Sequence, residues 1–289
     1  MGYLPNSSAR ALKTKKSYNL GVLFVDAAMN GLTHEYFNHV LESFKYHAEA
    51  RGYDITFIAG HTSGQEMSFY ERCRYRGVDG VLVACFKYYE ENIQDLIRSD
   101  LPVVTIDHTF EGKIAIVSNN VQGIEELVSY IYSMGHKKIA YIGDCTYESR
   151  YIGYYQALLN HRIPLDYHFV HPSNQTEAEG LQIMNRILTS DSRPTAIFCA
   201  NDCTAVGVLK ALKMSKKRGY HPSVISIDNI RESEHTSPLL TTINIPKKQM
   251  AHLALMLLLD QRKGEHKECV RIELPSRLIK RDSCSYSPY

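Results

Sequence analysis

Several side chains able to bind a polar ligand stand where short apolar runs of the sequence end. Four of them are aspartates: Asp26 after the run 21–25, Asp107 after 103–106, Asp202 after 197–201 and Asp228 after 224–227. In open α/β sheets, ligands bind outside the carboxyl ends of parallel strands, so these carboxylates are expected to converge on one region. Arg150 opens the segment after the run 139–142, and its fixed fork of donors is expected at the same edge.

This set of side chains suits a polyhydroxylated ligand. Adjacent hydroxyl groups can bridge both oxygens of a carboxylate, and the amide of Asn201 adds a donor and an acceptor. Tyr36 and Phe37 are expected to present exposed ring faces on which the apolar face of a sugar can stack. The alternative is that each aspartate caps the helix after its strand. For Asp202, beside the predicted helix 205–213, both interpretations stay open.

No combination of residues predicts catalysis or metal binding. His34 and His39 lie five positions apart, whereas the zinc-protease helix needs a spacing of four to put both on one face. Ser63 lies between glycines, but not in the arrangement of a nucleophile elbow. Walker A, dinucleotide-binding and paired-cysteine zinc motifs are absent from the sequence. We therefore predict a protein that is not an enzyme and that holds neither a metal nor a cofactor.

From Leu20 onward, short apolar runs alternate with amphipathic segments, a pattern typical of βα units and a parallel sheet. The predicted strands are Leu20–Val25, Asp54–Ala59, Gly80–Ala84, Val103–Ile106, Ile139–Ile142, Ala196–Cys199 and Val224–Ile227, followed by a helix at Lys247–Lys263 and strands at Val270–Leu274 and Arg277–Ile279. Right-handed crossovers predict doubly wound sheets with helices on both faces. Two sheets are needed to use all the strands, and periodicity does not say which sheet the last two strands join.

Composition and charge restrict the class of protein. The 289 residues are 44% hydrophobic and 22% charged, with a net charge of +2, which is ordinary for a globular chain of two domains. No apolar run approaches the roughly 18 residues of a membrane helix, and no signal peptide pattern is visible. Seven scattered cysteines fit reduced thiols better than a disulfide framework. We expect a cytoplasmic protein with no membrane partner.

The first residues carry the most specific pattern. Pro5 fixes the backbone, Asn6 can cap a helix, and residues 7–13 can form about two helical turns, too short to be stable alone in water. This segment, with basic residues up to Lys16, resembles the hinge of a LacI-family transcriptional repressor. Further motifs follow in the family's order over essentially the whole chain: Val78–Val83, Leu101–Asp107, Gly135–Gly143, Arg150–Tyr154, Pro194–Asp202, Ser223–Asp228 and Pro238–Ile243.

The resemblance implies an α/β, two-lobed, type I periplasmic-binding-protein-like fold, in which each lobe is a doubly wound, mainly parallel sheet. The chain is expected to cross between the lobes three times. The implied parts are a hinge segment at 1–17, an N-terminal subdomain at 18–118 and 247–273, and a C-terminal subdomain at 119–246 and 274–289. The family's helix-turn-helix domain precedes the hinge and is absent from this chain.

The resemblance also implies a ligand-responsive regulator that acts as a homodimer. An effector, here a sugar or sugar derivative, binds in the cleft between the lobes and changes how the paired hinge helices fit the minor groove of operator DNA. Effector contacts are implied at Asp107, Arg150, Asn201 and Asp228, which favours binding over capping at Asp107 and Asp228. The hinge residues implied to contact DNA are Asn6, Ala9, Arg10, Leu12 and Lys13, with Leu12 as an apolar wedge between base steps.

The chain departs from the family pattern around the implied cleft. Residues 26–37 are longer than the common Asp-x-x-Asn-Pro-Phe-Phe loop and lack its proline. His108 follows Asp107 where arginine is frequent, and Ile245 stands where glutamine is common. The rival interpretation is a solute-binding protein that delivers a sugar to a transporter. The hinge, the cysteines and the missing export signal argue against that interpretation.

Overall fold

The computed structural model describes residues 16–25, 35–58, 67–85, 91–145, 149–215, 219–264 and 270–287. The chain divides into two compact units: unit 1 is Met1–Val117 with Pro246–Leu274, and unit 2 is Ser118–Ile245 with Pro275–Tyr289. The chain therefore passes between the units three times. Each passage lies one residue from the predicted boundary.

Strands and helices mostly alternate along the described parts of the chain. The strands are β1 (Asn19–Val25), β2 (Asp54–Phe57), β3 (Val81–Cys85), β4 (Val103–Ile106), β5 (Ile114–Ser118), β6 (Ile139–Gly143), β7 (Val170–Pro172), β8 (Ala196–Cys199), β9 (Ser223–Asp228), β10 (Thr241–Asn244), β11 (Arg271–Leu274) and β12 (Arg277–Ile279). The helices are α1 (Glu35–Glu49), α2 (Phe69–Tyr75), α3 (Glu91–Arg98), α4 (Asn120–Ser133), α5 (Ser149–Asn160), α6 (Glu177–Thr189), α7 (Asp202–Met214) and α8 (Lys247–Lys263). Short 3-10 turns at Tyr167–Phe169 and Arg231–Glu234 complete unit 2.

Each unit is built on one six-stranded sheet, which confirms the predicted pair of doubly wound sheets. The strand order is β11-β5-β4-β3-β1-β2 in unit 1 and β12-β10-β9-β8-β6-β7 in unit 2. If the first strand of each order is left aside, both sheets have the doubly wound arrangement. In this arrangement the strand order reverses beside the strand that comes first along the chain in that unit. The reversal lies between β1 and β3 in unit 1 and between β6 and β8 in unit 2, and ligands bind at such a point in open sheets.

Several short strands differ from the prediction. β2 ends at Phe57 rather than at residue 59, and β5, β7 and β10 are additional strands. The last two strands join different sheets: β11 lies beside β5, and β12 pairs antiparallel with β10. β7 is an edge strand of three residues that ends at Pro172, and proline is tolerated there because an edge strand need not donate on its outer side.

The core of unit 2 places the start of α7 against the sheet. Isoleucine, leucine and methionine side chains of α6 pack with β8, β9 and α7 in one buried cluster. Gly180 and Gly207 allow α6 and α7 to approach closely, because a Cβ atom at Gly207 would lie 2.0 Å from the Glu177 carbonyl oxygen. The close packing fixes the position of residues 201 and 202 at the end of β8.

Candidate functional site

Two of the predicted site aspartates lie at strand ends in an unusual backbone conformation. Asp107 follows β4 with φ +61°, and Asp228 ends β9 with φ +117°, followed by Asn229 with φ +51°. Residues other than glycine rarely adopt positive φ, although aspartate and asparagine do so more readily than most. Such conformations cluster at ligand sites, where the surroundings hold them in place. Both strand ends are therefore candidate binding positions.

The structure brings Arg150 and Asp228 together. Arg150 lies in the first turn of α5, after β6, and its Nη2 donates to Asp228 Oδ1 at 3.0 Å. Its Nη1 donates to the carbonyl oxygen of Ala200 at the end of β8. The side chains are 13% and 4% exposed, so little water competes with the ion pair. The guanidinium therefore spans the carboxyl ends of β8 and β9, beside the reversal point of the unit 2 sheet.

Asp202 is a fully buried carboxyl that interacts electrostatically with Asp228. It accepts hydrogen bonds from the hydroxyl groups of Ser226 and Thr242, the second at 2.6 Å, and from Ile230 N at 2.9 Å. Burial, and then the charge of Asp228, raise the pKa of Asp202 to about 7, although the three donors act in the opposite direction. Asp202 thereby ties β9, β10 and the turn after Asp228 to the start of α7.

Of the two interpretations left open for Asp202, the structure does not support helix capping, because Asn201 is the residue that caps α7. Asn201 Oδ1 accepts from Thr204 N at 2.9 Å, as an N-cap side chain does. Its Nδ2 donates to the carbonyl oxygen of Gln175 at 2.9 Å, and the residue is buried. The Asn201 amide thus has two backbone partners that hold the end of β8, and its contact with an effector stays a prediction.

Arg281 also holds the turn at Asp228, and no sequence pattern predicts this role. Its Nη2 donates to Asn229 Oδ1 at 2.8 Å and to Glu234 Oε1 at 2.9 Å, while its Nη1 donates to the Leu240 carbonyl oxygen at 2.8 Å. Arg281 follows β12, which reaches unit 2 only after the third passage of the chain. No local sequence signal connects it to Asn229.

The expectation that Tyr36 and Phe37 present exposed ring faces is wrong. They are 3% and 2% exposed, and their rings pack edge to face with centroids 5.0 Å apart. The Tyr36 hydroxyl donates to the Asp107 carboxylate and lies 3.9 Å from Met250 Sδ. The Lys247 ammonium lies 5.7 Å from the Tyr36 ring centroid. Tyr36 therefore fixes the orientation of Asp107, and neither ring is available for stacking in this structure.

His108, the departure from the family pattern, closes the turn after β4. Its carbonyl oxygen accepts from Thr105 Oγ1 at 2.5 Å, and its ring lies 4.6 Å from that of Phe110. Burial lowers the pKa of His108. The position that is often arginine in the family is thus a histidine next to Asp107 whose burial disfavours the charged form of the ring.

Some predicted residues lie outside the described part of the chain. These are the hinge residues Asn6, Ala9, Arg10, Leu12 and Lys13, together with Asp26. His34 and Ser63, which the sequence patterns reject as metal-binding and nucleophilic residues, also lie outside it. Within the described ranges, no group of three or more potential metal ligands is found. No helix in those ranges is long and apolar enough to cross a membrane.

Known proteins match this chain over nearly its whole length. Residues 128–284 match the family model of a periplasmic binding protein-like domain. The HTH-type transcriptional repressor PurR of Pectobacterium carotovorum is 29% identical over 299 residues, which covers 99% of this chain and 86% of the relative. The crystal structure of a LacI family transcriptional regulator from Enterococcus faecium with bound ribose is 25% identical, with a TM-score of 0.79 over 93% of this chain and 99% of that chain. The lac repressor dimer bound to operator and the anti-inducer ONPF shares the fold at 22% identity, with a TM-score of 0.82 over 98% and 100% of the two chains.

Proposed function

This chain belongs to the LacI family of transcriptional regulators, whose effector-binding part is a periplasmic-binding-protein-like domain, and we propose that it represses transcription in response to a sugar or sugar derivative. The curated relative is named a transcriptional repressor, which supports the regulatory role. The bound ribose in the Enterococcus faecium regulator supports a sugar as the class of effector.

The observation that carries this proposal is the buried pair of Arg150 and Asp228 beside the reversal point of the unit 2 sheet. Neighbouring hydroxyl groups of a sugar can donate to the carboxylate and accept from the planar guanidinium fork at the same time. The left-handed backbone at Asp228 is held by the Asp202 and Arg281 hydrogen bonds described above. The two charged groups are thus preorganised, which lowers the entropic cost of binding.

We assign direct effector contacts to Asp107, Arg150 and Asp228. Tyr36 orients Asp107 through its hydroxyl group. Asn201 contacts the effector only with the part of its amide that the hydrogen bonds with Thr204 and Gln175 leave accessible. Phe37 then contributes packing behind Tyr36 rather than a stacking surface. This division of roles follows from the burial of the two rings.

Operator DNA is the proposed second partner. The hinge residues Asn6, Ala9, Arg10, Leu12 and Lys13 would enter the minor groove when a helix-turn-helix domain precedes them, with two chains paired as a homodimer on two half-sites. Control of transcription requires access to the chromosome, which supports a cytoplasmic location. The relatives are named as regulators rather than enzymes, and we propose no catalytic activity.

Calorimetry with a ligand panel tests the class of effector. The panel contains pentoses, hexoses, disaccharides and sugar phosphates, with nucleobases and amino acids as other classes. We expect saturable binding by one type of sugar, and stabilisation against unfolding by about 2.7 kcal/mol when the sugar is present at 100 times its dissociation constant. Binding by a nucleobase or amino acid alone would contradict the sugar assignment while leaving the regulatory family intact.

A further inference from the structure

A single carboxylate holds the residues that follow the hinge, at the amino-terminal edge of the unit 1 sheet. Asp79 Oδ1 accepts from Ser17 N at 3.1 Å, and Asp79 Oδ2 accepts from Tyr18 N at 3.0 Å. Arg262, in the last turn of α8, donates from Nη2 to Asp79 Oδ1 at 3.0 Å. The Asp79 and Arg262 side chains are 7% and 16% exposed.

We propose that Asp79 and Arg262 are positioning residues for DNA binding, because they fix where and in which direction the hinge leaves unit 1. This inference rests on the DNA-binding role proposed above.

The backbone at this point needs such a clamp. Tyr18 has φ +57°, a left-handed conformation that is rare for a bulky aromatic residue. Its ring lies 5.4 Å from the buried ring of Tyr53, and Asn19 N donates to Ser17 Oγ at 3.1 Å. A conformation of this kind persists only when its surroundings over-determine it. The backbone turn at Tyr18 is therefore held in one conformation, and the Asp79 carboxylate accepts hydrogen bonds from two of its backbone N–H groups.

The clamp connects the hinge exit to several elements of unit 1 at once. Asp79 N donates to the Asn19 carbonyl oxygen at 2.7 Å, and Asp54 N donates to the Tyr18 carbonyl oxygen at 2.8 Å. The starts of β1, β2 and β3 are thus joined around residues 17–19, and Arg262 adds the end of α8. A shift of any of these elements would be passed to the residues that lead into the hinge.

The charge around the clamp has the sign that DNA requires. A cavity at this edge is lined by side chains that include Lys16, Arg51, Arg262 and Lys263. Cations at the end of α8 also offset the helix dipole, which accounts for positive charge there without any DNA. The dipole does not account for the two hydrogen bonds that the backbone N–H groups of Ser17 and Tyr18 donate to Asp79. Lys16 follows Lys13 by three positions, a reach of about 10 Å when extended, so this edge lies close to whatever the hinge binds.

Two substitutions in the chain with its hinge test the clamp: Asp79→Asn and Arg262→Met. Asp79→Asn removes the ion pair and one of the two acceptors, so the amides of residues 17 and 18 should exchange with solvent roughly tenfold faster. The affinity for a short DNA duplex at low salt should fall by about threefold to tenfold, because the hinge exit must then be ordered on binding. Arg262→Met should move both quantities in the same direction by less, because both carboxylate oxygens of Asp79 remain as acceptors.

The matched control is Arg271→Met, which removes an arginine from the exposed Arg271–Glu273 pair of the same unit. It should leave both the exchange at residues 17 and 18 and the duplex affinity unchanged. Unchanged exchange in Asp79→Asn and Arg262→Met would overturn the clamp, and so would duplex affinities equal to that of the control. If the unsubstituted chain binds no duplex at all, the DNA-binding role of the hinge fails, and this inference fails with it. Sugar binding is measured separately and is expected to be the same in all four proteins.

Discussion

Replacing Asp202 by asparagine is expected to remove about 4 kcal/mol of the pH dependence of unfolding between pH 4 and pH 7. The folded-state pKa of Asp202 is about 7, raised from an ordinary value of 3.8 by burial and by the charge of Asp228. Because the folded pKa is the higher one, the contribution of this carboxyl to stability is fully present below pH 4. It is lost as the pH rises through about 7, and a shift of about three units corresponds to about 4 kcal/mol.

The measurement is chemical denaturation of both proteins at a series of pH values. An asparagine in place of Asp202 resembles the neutral acid, so its amide can keep hydrogen bonds with Ser226 and Thr242. The free energy of unfolding of the wild type minus that of Asp202→Asn should therefore fall as the pH rises from 4 to 7, and then stay level. Parallel curves would mean that Asp202 is ionised in the folded protein throughout this range.

Replacing Arg150 by alanine is expected to weaken effector binding by about tenfold to 150-fold, which is 1.5–3 kcal/mol, the usual loss for a hydrogen bond to a charged group. Arg150→Lys keeps the charge but loses the planar fork, so its affinity should lie between those of the wild type and the alanine variant. The binding constant is measured by calorimetry with the sugar that the panel identifies.

Arg193→Ala is the control for this experiment. Arg193 lies before the amino-terminal end of β8, away from the carboxyl ends of the strands, with its guanidinium carbon 5.3 Å from the centroid of the Tyr220 ring. Its removal should leave the effector affinity unchanged. Equal affinities for Arg150→Ala and the wild type, with both proteins folded, would mean that the effector binds elsewhere.

The strand ends were predictable from sequence because a parallel strand must be followed by a turn at the ligand-binding edge of its sheet. For this reason local patterns predict that Asp107 and Asp228 lie at strand ends. The position of Arg150 at the start of a predicted segment after a strand places it at the same edge. The partners that hold these residues come from distant parts of the chain, as Thr242 and Arg281 do for the turn at Asp228. Periodicity carries no information about such long-range pairs, nor about which sheet β11 and β12 join.

At both α1 and α7, a local sequence signal indicates the geometry that the structure shows. Tyr36, Val40 and Phe44 recur at helical spacing, and all three are buried on one face of α1. The same spacing that predicted the helix therefore predicted a covered ring at Tyr36. At α7, Asn201 precedes Thr204 by three residues, the spacing of an N-cap acceptor and its amide donor. That spacing favours Asn201 over Asp202 as the cap.

The affinity for operator DNA, measured with and without the sugar, tests the central claim most directly. The protein for this experiment is the chain joined to a preceding helix-turn-helix domain of its family, with that domain's operator as the duplex. We expect operator binding in the nanomolar range or tighter, and a change of at least about fivefold when the sugar saturates the protein. Arg150→Ala should bind the operator but lose this response. Sugar binding that leaves the operator affinity unchanged would contradict a ligand-responsive repressor and would favour a protein that only binds or delivers the sugar.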